Sequence, residues 1–199
     1  MRTNVKTTLL ALAILIPGSG AWTVANEMLV LQPQSRLWID GTSTIRSFSC
    51  SAAAVNAVVE ANGPNAIPAL LTGDKGVKSV RITVPAESMD CGNGKMNEHM
   101  KNALKVADNP TITFKLTEYD VARNADGIAG TINGTLDLGG VTKTISFKAN
   151  GTPEGGMLHV NGVYELRMTD YGLKPPSLMF GRIKVGDAVK VNFDLLLKS

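Results

Sequence analysis

Two histidines, His99 and His159, and a handful of aspartates are the side chains that could move protons or hold a metal in this chain. Nucleophilic hydrolysis needs a serine or cysteine beside a base, and no G-x-S-x-G elbow occurs. Zinc needs three or four converging ligands, and H-E-x-x-H is absent. His99 follows Glu98 in a stretch of helical spacing, and His159 falls at a polar position of an alternating run, so both read as packing or surface residues. Asp40, Asp90, Asp170 and Asp187 have turn-like neighbours such as Asp40-Gly41 and Asp170-Tyr171-Gly172, and read as turn or cap residues. Gly92-Asn93-Gly94 lacks the strand and βαβ unit that frame a dinucleotide fingerprint. No catalytic residue, metal or cofactor is assigned.

Cys50 and Cys91 are the only cysteines. Their chemistry depends on compartment, and the N-terminus bears on it. Arg2 and Lys6 precede the apolar run Leu9 to Ile16, and small residues follow at Gly18, Ser19, Gly20, Ala21 and Ala25. That layout is a secretory signal, and the run is far shorter than the roughly 20 apolar residues that span a bilayer. Residues 1–25 are expected to be a signal peptide, cleaved after Ala21 or Ala25, and residues 26–199 a single domain. Exported cysteines in an even pair are expected to be bridged, and closing a loop of about 40 residues would add about 4 kcal/mol. Free or metal-binding thiols are the alternative, disfavoured by spacing that is not C-x-x-C and by the scarcity of histidine. The chain has 20 basic and 17 acidic residues, and Arg2 and Lys6 fall in the signal segment with no acid, so the remainder carries a net charge of +1. Nothing in that balance, or in the few aromatics, favours nucleic acid.

The elements that must position any site are strands. Apolar residues alternate with polar ones at Val80-Ile82-Val84, Ile112-Phe114-Leu116, Ile128 to Leu138, Val141 to Phe147, Leu158 to Met168 and Val189 to Leu195. Period two with one wet face is the mark of antiparallel strands. Arg36 to Asp40 and Thr44 to Ala61 add strands with poorer alternation, shifting face at Ala52-Ala53-Ala54-Val55 as a bulge would. Gly139-Gly140 reads as a two-residue hairpin turn and Thr152 to Gly156 as a longer loop. Met96, Met100, Ala103 and Leu104 recur at helical spacing, so one short helix is expected between Asn93-Gly94 and Asp108-Asn109-Pro110. The predicted architecture is all-β, with about eight strands in a barrel or sandwich and one short helix. The segment from Thr169 to Val185 stands apart, combining Leu178, Met179 and Phe180 with Lys174, Arg182 and Lys184.

Several stretches together resemble the YceI-like family of exported bacterial lipid-binding proteins. They are Leu37-Trp38-Ile39-Asp40-Gly41-Thr42-Ser43-Thr44-Ile45 with Phe48 and Cys50, Met89-Asp90-Cys91 followed by Met96 and Met100, and Lys101 to Lys105. Pro110 to Phe114, Met168 to Leu173 with Pro175-Pro176, and Phe180 to Asp187 complete the series, which covers about residues 35 to 198. The resemblance implies an extended, lipocalin-like antiparallel barrel of eight strands with a helix against it, holding a polyisoprenoid or similar amphiphile. Where many members carry a His followed by an acid after Gly41-Thr42-Ser43-Thr44, this chain has Arg46-Ser47. A different head-group preference is the expectation that departure raises.

The functional expectation is a periplasmic binding protein, not an enzyme, that sequesters or carries a polyisoprenoid or other long-chain lipid, without stable membrane insertion. Its cavity would be lined by Phe48, Val80, Ile82, Phe114, Leu116, Ile132, Leu136, Ile145, Phe147, Val160, Tyr164, Leu166, Met168, Val191 and Phe193. Arg46, Lys174, Arg182 and Lys184 are candidate head-group contacts. Two alternatives stand beside it. One is a secreted stress-response or protein-interaction factor whose barrel is only a scaffold. The other is an isomerase or cyclase of an apolar substrate, for which Tyr164 is the one ionisable group among the proposed lining residues.

Overall fold

The structure is a computed structural model describing residues 27–178 and 180–199. The segment read as a signal peptide, and Met179, lie outside the described residues. Among the described residues eight long strands run antiparallel. We number them β1 (Met28–Leu31 continued by Arg36–Ser43), β2 (Ser47–Ala52 continued by Asn56–Ala61) and β3 (Val77–Pro85, then a 3-10 turn at Ala86–Ser88 and Met89–Asp90). β4 is Thr111–Tyr119, β5 Ile128–Leu138, β6 Val141–Glu154, β7 Met157–Arg167 and β8 Ile183–Lys198.

Each strand pairs with the next, and β8 returns to β1 through Asp194↔Arg36 and Leu197↔Leu31, so the sheet closes into a barrel. Closure leaves no edge along the barrel wall, and alternation then divides every strand into an inward apolar row and an outward polar row. The Gly139-Gly140 turn has φ of 59° and 81°, the left-handed pair that suits a two-residue hairpin. Gly155-Gly156, with φ of 55° and 81°, is equally tight. The longer loop expected at Thr152 to Gly156 is thus replaced by strands that extend to Glu154 and resume at Met157. The expected shift of face near Ala53 is a break between Ala52 and Asn56, where β2 bends.

Among the described residues two short α-helices are present rather than one. α2, Gly94–Leu104, matches the expected helix; the Asn93 side chain caps it by accepting from the Met96 N–H at 3.1 Å. α1, Ala66–Thr72, was not anticipated. It buries Ala66, Ile67 and Leu70, and ends at Gly73 in the left-handed conformation. α1 joins Leu29, Val59, Ala61, Ile128, Leu158 and Leu197 in one continuous core that fills its end of the barrel. Toward the other end the core separates into two clusters. One is built on Leu136, Leu138, Ile145, Leu166, Leu173 and Val189, the other on Cys50, Val84 and Met89.

Candidate ligand-binding cavity

Between these two clusters lies a cavity of about 580 Å³, within the range of small-molecule sites. Its wall comes from the inward rows of all eight strands, and α2 contributes Met96, His99, Met100, Ala103 and Leu104. Of the residues expected to line it, Phe48, Ile82, Phe114, Ile132, Leu136, Ile145, Phe147, Val160, Tyr164, Leu166, Met168, Val191 and Phe193 do so. Val80 and Leu116 do not. Val80 has the right phase but lies too far along β3, packed on the core beside α1. Leu116 is half-buried opposite Gly134, where β4 slips register before Glu118 and its period is interrupted.

Aromatic rings form the middle of the wall. Phe147 lies 5.8 Å from Phe114, 5.9 Å from Tyr164 and 5.5 Å from Phe193, all in tilted or edge contacts. Two glycines make room for them: a Cβ at Gly134 would come within 2.4 Å of the Phe114 ring, and one at Gly162 within 2.4 Å of the Phe193 ring. The rings lie across inward positions that carry no side chain.

Among the described residues, apart from the cystine, only Ser43, Arg46, His99 and Tyr164 interrupt the apolar lining. His99 was expected on the helix surface or in packing; it borders the cavity instead, and its buried Nε2 has no hydrogen-bond partner among the described residues. Tyr164 is therefore not the only ionisable group there. Arg46 makes no ion pair among the described residues, and its guanidinium lies 4.0 Å from Met96 Sδ. Behind the wall, burial pushes the Tyr171 phenol well above its usual value, with the neighbouring Tyr164 phenol a lesser contribution.

Lys174, Arg182 and Lys184, the other candidate head-group contacts, are exposed and are not among the residues that line the cavity. Alternation explains it, because Leu173, Ile183 and Val185 take the inward positions. Two sets stand out among the lining residues that the sequence reading missed. Leu37, Ile39, Val84, Ile112 and Leu195 continue inward rows already recognised, so the period could have found them. The α2 face Met96-His99-Met100-Ala103 was visible as a helical stripe, but its placement over a cavity was not.

The end of the cavity under α2 is fastened covalently. Cys50 and Cys91 form a disulfide across 41 residues, as expected. Asn97 then ties the helix to the same strand end: its Oδ1 accepts from the Cys91 N–H at 2.7 Å and its amide donates to Asp90 at 2.7 Å. With the Gly92 N–H, that amide holds the Asp90 carboxyl below the usual carboxylate range. His159, at an outward position next to the inward Val160, packs on the outer wall with Nε2 against Asp194 and Nδ1 3.7 Å from Glu154. Among the described residues no three His, Cys, Asp or Glu side chains converge as metal ligands, and no helix is long and apolar enough to cross a membrane.

Comparison with known proteins supports the barrel and its lineage. UPF0312 proteins of Pseudomonas paraeruginosa and Pseudomonas aeruginosa are each 33% identical over 103 residues, 48% of this chain and 52% of theirs. The chain thus spans about half the length of the curated relatives it matches. Among solved structures, Burkholderia cenocepacia BcnA superposes with a TM-score of 0.63 at 17% identity, covering 81% of this chain and 95% of that one. A polyisoprenoid-binding domain from Saccharophagus degradans, implicated in plant cell wall breakdown, gives 0.59 at 14% identity, covering 86% and 97%. At such identities these likenesses speak to the fold. The YceI-like domain, however, matches residues 40–197, nearly every strand of the barrel just described, and on that extent of match the chain belongs to the YceI-like family.

Proposed function

We propose that this protein is a carrier that sequesters a polyisoprenoid or similar long-chain amphiphile in its barrel, in the periplasm, without performing chemistry on it. The single observation that carries this reading is the apolar cavity of about 580 Å³ on the barrel axis. A scaffold whose partners bind outside has no need of a hollow interior, and leaving one unfilled forgoes packing energy. At about 0.8 kcal/mol per buried CH₂, a chain of ten or more carbons would bind usefully after ordering costs. The name of the Saccharophagus degradans neighbour is in keeping with an isoprenoid.

The polar groups suggest an orientation. Arg46 and His99 border the α2 end, whereas Val160 lies against the filled core. An amphiphile would therefore enter tail first, its head beside Arg46 and the unpartnered His99 Nε2. Arg46, in place of the His common in the family, suits an anionic or strongly accepting head.

Organic extraction of protein purified from its native compartment, followed by mass spectrometry, tests the reading. We expect one lipid per chain, and uptake of a fluorescent long-chain probe by the stripped protein. No stoichiometric lipid together with no uptake would overturn it.

A further inference from the structure

The cations that fail to reach the cavity sit on the outside of its rim. The tip of the β1–β2 hairpin and the segment leading into β8 are hydrogen-bonded together: the Thr44 N–H donates to the Lys184 carbonyl at 3.0 Å, and its hydroxyl to the Arg182 carbonyl at 3.2 Å. This joined lip borders the cavity through Ser43, Ile45, Arg46, Pro176 and Ile183. Two large apolar side chains project from it, Phe180 fully exposed at 111% and Ile45 at 66%. Single exposed hydrophobics are ordinary on a soluble surface; two on adjoining tips at a cavity mouth are less so. Phe180 also sits at φ +55°, a backbone region a bulky residue rarely adopts.

Charge on the lip has one sign. Residues 43–48 and 173–186 contain Arg46, Lys174, Arg182 and Lys184 and no acid. Among the described residues none of the four is in a salt bridge, whereas Lys78, Lys95, Lys101 and Lys190 elsewhere are paired. Of the acids flanking the lip in sequence, Asp187 is taken up by the Thr169 N–H and hydroxyl at 2.9 and 2.8 Å, and Asp170 is exposed. Apolar tips among unpaired cations are the composition that attracts a surface to anionic lipid, the cations approaching phosphate and the apolar groups entering the headgroup boundary.

We propose that this lip is a docking surface for an anionic phospholipid bilayer, presenting the cavity mouth to the membrane. Ile45 and Phe180 enter the interface and Arg46, Lys174, Arg182 and Lys184 face its phosphates. The association is peripheral and reversible. It extends the carrier reading without depending on the cavity being filled.

Flotation of the full chain with vesicles tests it, comparing phosphatidylcholine alone with phosphatidylcholine containing phosphatidylglycerol. Binding is expected to the anionic vesicles, weakening as salt rises. Each lip cation removed should reduce partitioning roughly fivefold, so the double variant Arg182→Gln/Lys184→Gln should lose more than tenfold. Ile45→Ser/Phe180→Ser should abolish the part of binding that survives high salt. Lys115→Gln, an exposed change on the outer wall of β4, should leave binding unchanged. Equal binding to neutral and anionic vesicles, no binding, or lip variants that float like the parent would overturn the proposal. Probe uptake from detergent micelles separates the two readings: uptake without vesicle binding removes only the docking surface, and vesicle binding without uptake removes only the carrier.

Discussion

The two ends of the barrel use the same strands to opposite purposes. At the α1 end one continuous cluster fills the interior, and a helix of seven residues buries three of them. At the α2 end two clusters face a cavity, and a helix of eleven residues fully buries none. Alternation along a strand is blind to this difference, since both ends need apolar residues inward. What separates them is how far facing side chains reach and whether another element plugs the gap. The hollow end compensates with local ties, namely the disulfide, the Asn93 cap, the Asn97 bonds and the Lys101–Glu87 pair.

The largest effect should come from removing the covalent tie. Cys50→Ala/Cys91→Ala reopens a loop of 41 residues, and we expect a loss of about 4 kcal/mol on the chain-entropy argument. Urea unfolding of the variant against the oxidised parent measures it. A loss under about 1 kcal/mol would mean that the hollow end holds itself together by packing, and the contrast between the ends would largely vanish.

Truncations on the two sides of the comparison should differ next. Leu29, 1% exposed in the filled core, should cost about 3 kcal/mol as Leu29→Ala, because the space it leaves is enclosed. Ile132 already borders a cavity, so Ile132→Ala enlarges a space that exists and should cost about 1 kcal/mol. The second variant, unlike the first, should alter probe affinity. Equal stability losses would argue that the cavity collapses in solution.

The fold was legible in the sequence to the extent that period two expresses it. Leu158 to Met168 on β7 and Val189 to Leu195 on β8 were readable because polar residues mark the outer face at nearly every second position. α1 was not, because Ala66-Ile67-Pro68-Ala69-Leu70-Leu71-Thr72 is two turns long and almost wholly apolar, so it shows neither period clearly. The site was legible by phase but not by depth. Val80 and Ile82 are indistinguishable as inward residues, yet one packs against the plug and the other lines the void. His99 was missed because its helix spacing could be placed only once α2 was seen lying over the mouth.

A smaller effect should follow from uncapping that helix. Asn93→Ala leaves the Met96 N–H without its acceptor, at about 1 kcal/mol. Because α2 is anchored at few points, we expect the change to appear chiefly as faster amide exchange through 94–104, with α1 unaffected. Exchange rising equally in both helices would show that the two ends open as a unit.

The smallest expected effect compares one carboxylate from each end. At the hollow end the Thr169 N–H and hydroxyl hold the Asp187 carboxyl below its usual range. At the filled end His159 does the same for Asp194, with Arg36 adding a lesser pull from 3.4 Å. A carboxyl lowered on folding contributes stability that is fully present above its unfolded value near pH 4 and is lost as pH falls through the folded value. The parent should therefore lose thermal stability more steeply below about pH 4 than Asp194→Asn or Asp187→Asn, each of which begins lower at neutral pH and converges with the parent in acid. Asp194 joins β7, β8 and β1 beside the filled core, so its removal should lower the melting temperature of the whole barrel. Asp187 fastens only the turn after β7 to the start of β8, so its removal should register mainly as faster exchange in 168–173. Melting curves that stay parallel to the parent from neutral pH to pH 2 would mean that neither carboxylate is linked to folding, and that the ends differ in packing alone.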